Sequence, residues 1–204
     1  FGGKDAQVPD VNIVTCIGDT WTMWNAERMT LLFVGPVLSD GISAMAHATS
    51  PDSLLVAAGS SVYRYVRGHE VAKYNTSVAD EGIEGHVLSS MLVFGDYVCS
   101  LAAHGSTMYV WSLLTTELLQ AIALPSSSQA SCFVHPATYL NKVVLGMTDG
   151  SLQLWNVRTA SLIHTFDALD VRGGKKSTNV TGVVHMTQSP AVDVLAVAYT
   201  DGLV

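Results

Sequence analysis

The sequence LGMTDGSLQLWNVRTASLIHTF, from Leu145 to Phe166, contains the pattern that decides the fold. An apolar run ends at the polar turn Asp149-Gly150, and a second run of alternating residues leads to Trp155 at the spacing Asp-Gly-x-x-x-x-Trp. A third run follows the tryptophan after a short polar stretch. Apolar runs of this length with turn residues between them indicate β-strands joined by short turns.

Weaker copies of this segment occur upstream. Trp111 follows His104-Gly105, Tyr65 ends the segment GSSVYRY, and Trp24 ends GDTWTMW. The four aromatic residues are separated by 41, 46 and 44 residues. A period in this range, with four short strands per repeat, is typical of a WD-repeat β-propeller. The sequence therefore predicts an all-β fold, with these blade anchors and turn residue: Trp24, Tyr65, Trp111, Asp149 and Trp155.

Four nearly continuous apolar runs identify the second strand of each repeat. A propeller strand buried on both faces reads as such a run, because both neighbouring sheets cover it. The runs cover Asp52 to Gly59, Asp96 to Ala103, Asn141 to Met147 and Val192 to Tyr199.

The chain length predicts an incomplete ring. At about 44 residues per blade, 204 residues hold four to five blades, whereas closure usually takes about seven. The start at Phe1 and the end just before a third strand agree with a fragment, which we do not expect to be stable alone. The predicted units are a partial first blade (1–36), a second (37–78), a third (79–124), a fourth (125–168) and a partial fifth (169–204).

Composition indicates a strand-rich globular protein and gives no sign of a membrane span. Hydrophobic residues make up 49% of the chain and charged residues 13%, and no apolar stretch approaches the roughly 18 residues that a span needs. Cys16, Cys99 and Cys132 fit neither a disulfide framework nor a metal site. We expect them to be buried free thiols in a reducing compartment.

The net charge of -7 argues against a broad nucleic-acid surface. One basic cluster, Arg172 with Lys175 and Lys176, lies in a loop that lengthens the last repeat. It is either a solvated loop or a local contact with RNA phosphate or an acidic partner, since extra residues in a repeat usually form a surface loop on the binding face.

The histidines and carboxylates do not form a catalytic or metal-binding pattern. No nucleophile elbow, phosphate loop or dinucleotide fingerprint is present, and we expect no cofactor and no small-molecule substrate. His86 follows Gly85 before the first strand of a repeat, as in the Gly-His element of WD repeats. In that element the histidine is structural and bonds a strand Ser or Thr, the turn Asp and the Trp. His104 stands at the turn position that Asp149 holds in the next repeat. The hydrogen-bonded group of histidine, Ser or Thr, aspartate and tryptophan therefore lacks its aspartate in that repeat.

The stretch from His135 to Phe166 resembles one family more closely than a generic blade. His-Pro, Thr-Tyr-Leu-Asn-Lys and Gly-Ser-Leu-Gln-Leu-Trp-Asn are similar to the matching segment of the Utp-twenty-one family, the WD-repeat subunit of the UtpB subcomplex of the small-subunit processome. Members have two tandem propellers and a C-terminal helical domain, so the resemblance implies most of a first propeller. Tyr65 in place of Trp, and the lack of a literal Trp-Asp pair, depart from the repeat consensus.

The resemblance implies a non-catalytic scaffold in the nucleus, specifically the nucleolus, that helps assemble the processome on nascent pre-ribosomal RNA. The implied partners are other UtpB subunits and processome proteins, with local contact to pre-rRNA or box C/D guide RNA. Two other classes remain open. A WD adaptor in ubiquitin ligation or a vesicle coat would share every feature except the segment from His135 to Phe166. A propeller enzyme would need polar groups converging from several blades.

Overall fold

A computed structural model describes residues 11–76, 85–125, 127–168, 181–189 and 191–204. These residues form seventeen strands in five antiparallel sheets. The all-β propeller fold predicted from the sequence is confirmed, including its incomplete ring of sheets.

The three central sheets each contain four strands in chain order. Sheet 2 consists of β4 (Ile42–Thr49), β5 (Asp52–Ala58), β6 (Ser61–Val66) and β7 (His69–Asn75). Sheet 3 consists of β8 (Leu88–Phe94), β9 (Tyr97–Ala102), β10 (Thr107–Ser112) and β11 (Leu118–Ala123). Sheet 4 consists of β12 (Ala130–Val134), β13 (Lys142–Met147), β14 (Leu152–Asn156) and β15 (Ser161–Phe166).

The outer two sheets are shorter within the described residues. Sheet 1 contains β1 (Asn12–Ile17), β2 (Thr20–Asn25) and β3 (Thr30–Val34). Because Trp24 lies on β2, these three correspond to the second, third and fourth strands of a repeat. Sheet 5 contains β16 (Val183–Gln188) and β17 (Leu195–Tyr199), the first two strands of a repeat. We propose that each sheet is one blade with the boundaries predicted above.

The core consists of four apolar clusters, one between each pair of neighbouring sheets. Strand β9 shows how a continuous apolar run serves two of them. Its Cys99 and Leu101 pack in the cluster with sheet 4, and Val98 and Ala102 pack in the cluster with sheet 2. Side chains of a strand alternate between faces, so a strand covered on both sides needs apolar residues throughout.

The expectation that all three cysteines are buried is wrong for one of them. Cys99 is buried, Cys132 is half-buried and Cys16 is exposed. Cys16 lies on β1, which pairs with β2 on one edge only within the described residues. Burial raises the pKa of the Cys99 thiol far above its usual range, so this sulfur is an inert core atom.

Candidate interaction surface

The predicted aromatic anchors pack toward the preceding sheet. Trp155 on β14 shares a cluster with residues of sheet 3, and Trp111 on β10 shares one with residues of sheet 2. Tyr65 on β6 lies 5.1 Å, centroid to centroid, from Trp21 of sheet 1. All three anchors are buried. In sheets 2, 3 and 4 the aromatic residue of the third strand therefore ties its own sheet to the preceding one.

The same geometry explains why Trp24 is only half-buried. Trp21 and Met23 of β2 pack toward sheet 2, so Trp24, next along the strand, lies on the opposite face. Its indole N–H donates to Thr22 Oγ1 at 2.9 Å. The core residue of this strand is Trp21, 1% exposed, which the repeat spacing missed. Period-two alternation with Met23 was the signal that could have identified it.

A buried polar network joins sheets 2 and 3. Arg64 on β6 is 7% exposed, and it donates from Nε to Ser53 Oγ at 3.0 Å and from Nη1 to the Leu113 carbonyl at 2.8 Å. The Tyr74 hydroxyl donates to the same carbonyl at 2.9 Å. Burial, partly offset by the nearby Arg64 guanidinium, raises the pKa of Tyr74, so this hydroxyl remains a donor at neutral pH. The network fixes the turn after β10 against sheet 2.

We expect Arg64→Ala to lower the free energy of local opening of sheets 2 and 3 by about 3 kcal/mol, because it leaves a cavity and removes two buried hydrogen bonds. Arg64→Met is the matched control, since it fills much of the space without a charge and leaves Tyr74 to satisfy Leu113. Its expected cost is about 1 kcal/mol. Hydrogen–deuterium exchange of the intact protein measures both, and equal costs would show that the hydrogen bonds matter more than the packing.

His86 contacts an aromatic hydroxyl rather than the expected aspartate and tryptophan. Its Nδ1 lies 2.5 Å from the hydroxyl oxygen of Tyr109 on β10, and its carbonyl accepts from Thr76 Oγ1 at 3.4 Å. The Tyr109 ring is buried and stacks 5.6 Å from Trp111. Tyr109 therefore lies between His86 and the anchor Trp111. The turn of this repeat has His104 where another repeat has an aspartate. The structural role of His86 stays a prediction that this contact supports.

Asp149 closes its turn through Ser151. Its Oδ1 accepts from the Ser151 backbone N–H at 2.9 Å and from the Ser151 hydroxyl at 2.6 Å. Burial acts to raise the pKa of Asp149, but these hydrogen bonds to the carboxylate outweigh it and hold the pKa below its usual range. Ionised Asp149 therefore stabilises the turn between β13 and β14.

A lowered pKa in the folded state has a defined effect on stability. The contribution of Asp149 should be complete above its unfolded pKa of about 3.9 and be lost as the pH falls through the lower folded value. We expect Asp149→Asn, which keeps an acceptor for Ser151, to reduce this pH dependence. Urea unfolding of the wild-type protein and the variant between about pH 3 and pH 7 gives the free energy of unfolding at each pH. If this free energy changed with pH equally in the two proteins, the assignment to Asp149 would be contradicted.

One side of the stacked sheets has acidic side chains without basic ones within the described residues. Turns after the second strands, and the connections between sheets, lie on one side and contain Asp19, Asp40, Asp149, Asp167 and Asp201 but no Lys or Arg within the described ranges. Turns on the other side contain both signs of charge: Arg28, Arg67 and Arg158 lie there together with Glu27, Asp96, Glu117 and Asp193. The cluster Arg172, Lys175 and Lys176 lies outside the described residues. So do Asp80, Glu81 and Glu84.

One cavity of about 560 Å³ lies between sheets 1 and 2. Its walls include Trp21, Phe33, Leu54 and Tyr65, and His47 and Asp52 line it at a separation of 2.7 Å. Within the part of the chain that is described, no three His, Cys, Asp or Glu side chains are grouped as metal ligands. No helix there has the length and apolar character needed to cross a membrane.

Comparison with known proteins identifies the family. The model of the WDR36/Utp21 first beta-propeller matches residues 13–204. This chain belongs to that family. A U3 small nucleolar RNA-associated protein 21 homolog from Schizosaccharomyces pombe is 33% identical over 196 residues, which is 93% of the chain and 20% of the relative. Human WD repeat-containing protein 36 is 31% identical over 194 residues, covering 94% of the chain and 19% of the relative. The chain thus spans about a fifth of the length of these relatives of the WDR36/Utp21 family.

Solved structures show the same fold at low identity. The C-terminal WD40 domain of Sif2 superposes with a TM-score of 0.70 at 14% identity, covering 95% of this chain and 53% of that domain. The computationally designed Ika8 protein superposes with a TM-score of 0.68 at 18% identity, covering 97% of this chain and 55% of the Ika8 chain. These similarities support a WD-repeat propeller in which this member of the WDR36/Utp21 family supplies part of the ring.

Proposed function

We propose that this chain is part of a non-catalytic protein-interaction scaffold in ribosome small-subunit biogenesis. The scaffold is a UtpB subunit, acts in the nucleolus, and helps assemble the small-subunit processome during pre-rRNA processing. The observation that supports this most is the family match over residues 13–204, together with a relative named for its association with U3 small nucleolar RNA.

The fold suits a scaffold because its sheets pack on one another through buried clusters and many of its turn residues are exposed. Each sheet interface is fixed by a buried cluster, and buried polar contacts such as that of Arg64 add to one of them. Side chains at the turns can therefore contact several partners without rearrangement of the sheets. The proposed partners are other UtpB subunits and further processome proteins, with local contact to pre-rRNA or box C/D guide RNA.

Depletion of the full-length protein in its own cells tests this function. We expect unprocessed precursor RNA to accumulate and mature small-subunit RNA to fall, while large-subunit RNA remains at its normal level. Re-expression of the wild-type protein should restore processing. Normal precursor levels after depletion, or equal loss of both subunits, would contradict the proposal.

We also propose that Arg172, Lys175 and Lys176 make the local RNA contact. Neutralising all three to glutamine should leave the fold intact and reduce ultraviolet crosslinking of the full-length protein to RNA. The slope of log affinity against log salt concentration should fall by about 2, because three phosphate contacts are lost.

The matched control neutralises Arg28, Arg67 and Arg158, the same number of charges on turns of the described sheets. We expect this variant to crosslink as the wild type does. Equal losses in the two triple variants would show a general charge effect, and an unfolded first variant would show that the basic loop is structural.

A further inference from the structure

Two turns from neighbouring sheets are held together by hydrogen bonds. The turn between β12 and β13 contains Thr138, and the turn between β16 and β17 contains Asp193. The Thr138 hydroxyl donates to Asp193 at 3.3 Å, and the Ala137 N–H donates to Gln188 Oε1 at 2.6 Å. Gln188 Nε2 also donates to Asp193 at 3.3 Å. The two turns therefore form one composite surface that spans sheets 4 and 5.

Large apolar side chains on both turns are exposed. Leu140 is 90% exposed and Tyr139 40%, and both belong to the four-stranded sheet 4. Val192 and Val194, on either side of Asp193, are each 58% exposed in a sheet that has two strands within the described residues. Exposed apolar side chains on two turns that are hydrogen-bonded to each other are a feature expected of an interaction site. We call Tyr139, Leu140, Val192, Asp193 and Val194 the two-turn surface.

The charge on this surface restricts what it can bind. The Asp193 carboxylate accepts hydrogen bonds from the neutral groups of Thr138 and Gln188. Within the described residues the close acid–base pair is His47 with Asp52, so Asp193 has no cationic partner there. The nearby Lys142 ammonium lies over the Tyr139 ring, 4.1 Å from its centroid. The surface therefore has a cation at Tyr139 and an anion at Asp193, and the Asp193 end favours a cation on the partner.

We propose that the two-turn surface docks an amphipathic segment of another protein subunit. The segment places an apolar side chain against Leu140 and the two valines, and a lysine or arginine against Asp193. Burial of Leu140 and Tyr139 supplies the affinity, and the Asp193 contact fixes the orientation. This inference rests on the proposed scaffold function and names one of its docking surfaces.

A photo-crosslinking residue at position 140 of the full-length protein tests the proposal in cells. We expect crosslinks to one peptide of a different protein, in which a basic residue lies beside apolar ones. Leu140→Asp should reduce recovery of that protein about tenfold. Asp193→Asn, which keeps an acceptor for Thr138, should reduce it severalfold, and this loss should be smaller at high salt.

Two controls separate docking from a general surface effect. Leu114 is also an exposed leucine, on the turn after β10, so a crosslinker there and Leu114→Asp should leave the same partner unaffected. Arg158→Gln should not weaken recovery. Crosslinks from position 140 to RNA, to a second copy of the chain or to a peptide without a basic residue would overturn the proposal. So would a yield no higher than that from position 114.

The outcomes also distinguish this inference from the proposed function. Leu140→Asp protein that recovers every processome component at the wild-type level would overturn the docking surface and leave the scaffold function standing. Wild-type protein that recovers no pre-ribosomal RNA would overturn both.

Discussion

Replacing Trp111 with alanine is expected to lower the free energy of local opening of sheets 2 and 3 by about 4 kcal/mol. The indole is buried, meets Tyr74 edge-on at 6.3 Å and stacks on Tyr109. Its N–H donates to the Asn75 carbonyl at 3.1 Å. Alanine leaves a cavity between two sheets and removes one of the hydrogen bonds that join them. Hydrogen–deuterium exchange of peptides from β6 to β10, in the intact protein, measures the change.

Trp111→Phe is the matched control for this prediction. Phenylalanine keeps much of the ring packing but cannot donate to Asn75, so we expect a loss of about 1 to 2 kcal/mol. Peptides of sheet 5, which does not contact this cluster, should exchange as in the wild type. A Trp111→Ala protein with unchanged protection in sheets 2 and 3 would show that the anchor does not hold the sheets together.

Replacing Gly105 with alanine is expected to cost about 3 kcal/mol, because strain and a backbone clash add. Gly105 has a φ of +60° in the turn between β9 and β10. A Cβ atom there would fall onto the carbonyl oxygen of Ala130 and 2.7 Å from its nitrogen. The Ala130 N–H also donates to the Gly105 carbonyl at 3.1 Å, so the two backbones cannot separate without loss of this bond.

Gly95 separates the clash from the strain. It has a similar φ of +54°, yet a Cβ atom there meets nothing within 4 Å. Gly95→Ala should therefore cost only about 1 kcal/mol, the strain of the left-handed conformation. Exchange rates of β12 should rise in Gly105→Ala and stay unchanged in Gly95→Ala. Equal effects of the two substitutions would contradict the close contact between sheets 3 and 4.

The repeat could be predicted from sequence because propeller strands carry a strong local signal. Spacing located Trp111 and Trp155, and continuous apolar runs located β5, β9, β13 and β17. Trp24 illustrates the limit of spacing: it has the right position in the repeat, but its face of sheet 1 has no described neighbour. Whether a residue is buried depends on the neighbouring sheet that packs against it, and the spacing within one repeat does not show whether that sheet is present.

Polar contacts between sheets could not be predicted in the same way. Arg64 in a strand reads as a solvated charge, and its partner Leu113 is 49 residues away. His86 has the expected position, but its partner Tyr109 replaces a missing turn aspartate. The two-turn surface was also hidden, because Leu140 reads as a core residue until the turn places it in solvent. Each of these depends on contacts between distant parts of the chain.

The most direct test of the scaffold function is affinity purification of the full-length protein at mild salt, with mass spectrometry and RNA sequencing of the recovered material. We predict that other UtpB subunits are recovered together with pre-ribosomal RNA and its box C/D guide RNA. Recovery of ubiquitin-ligase or vesicle-coat subunits without RNA would contradict the processome function and would indicate a general WD adaptor.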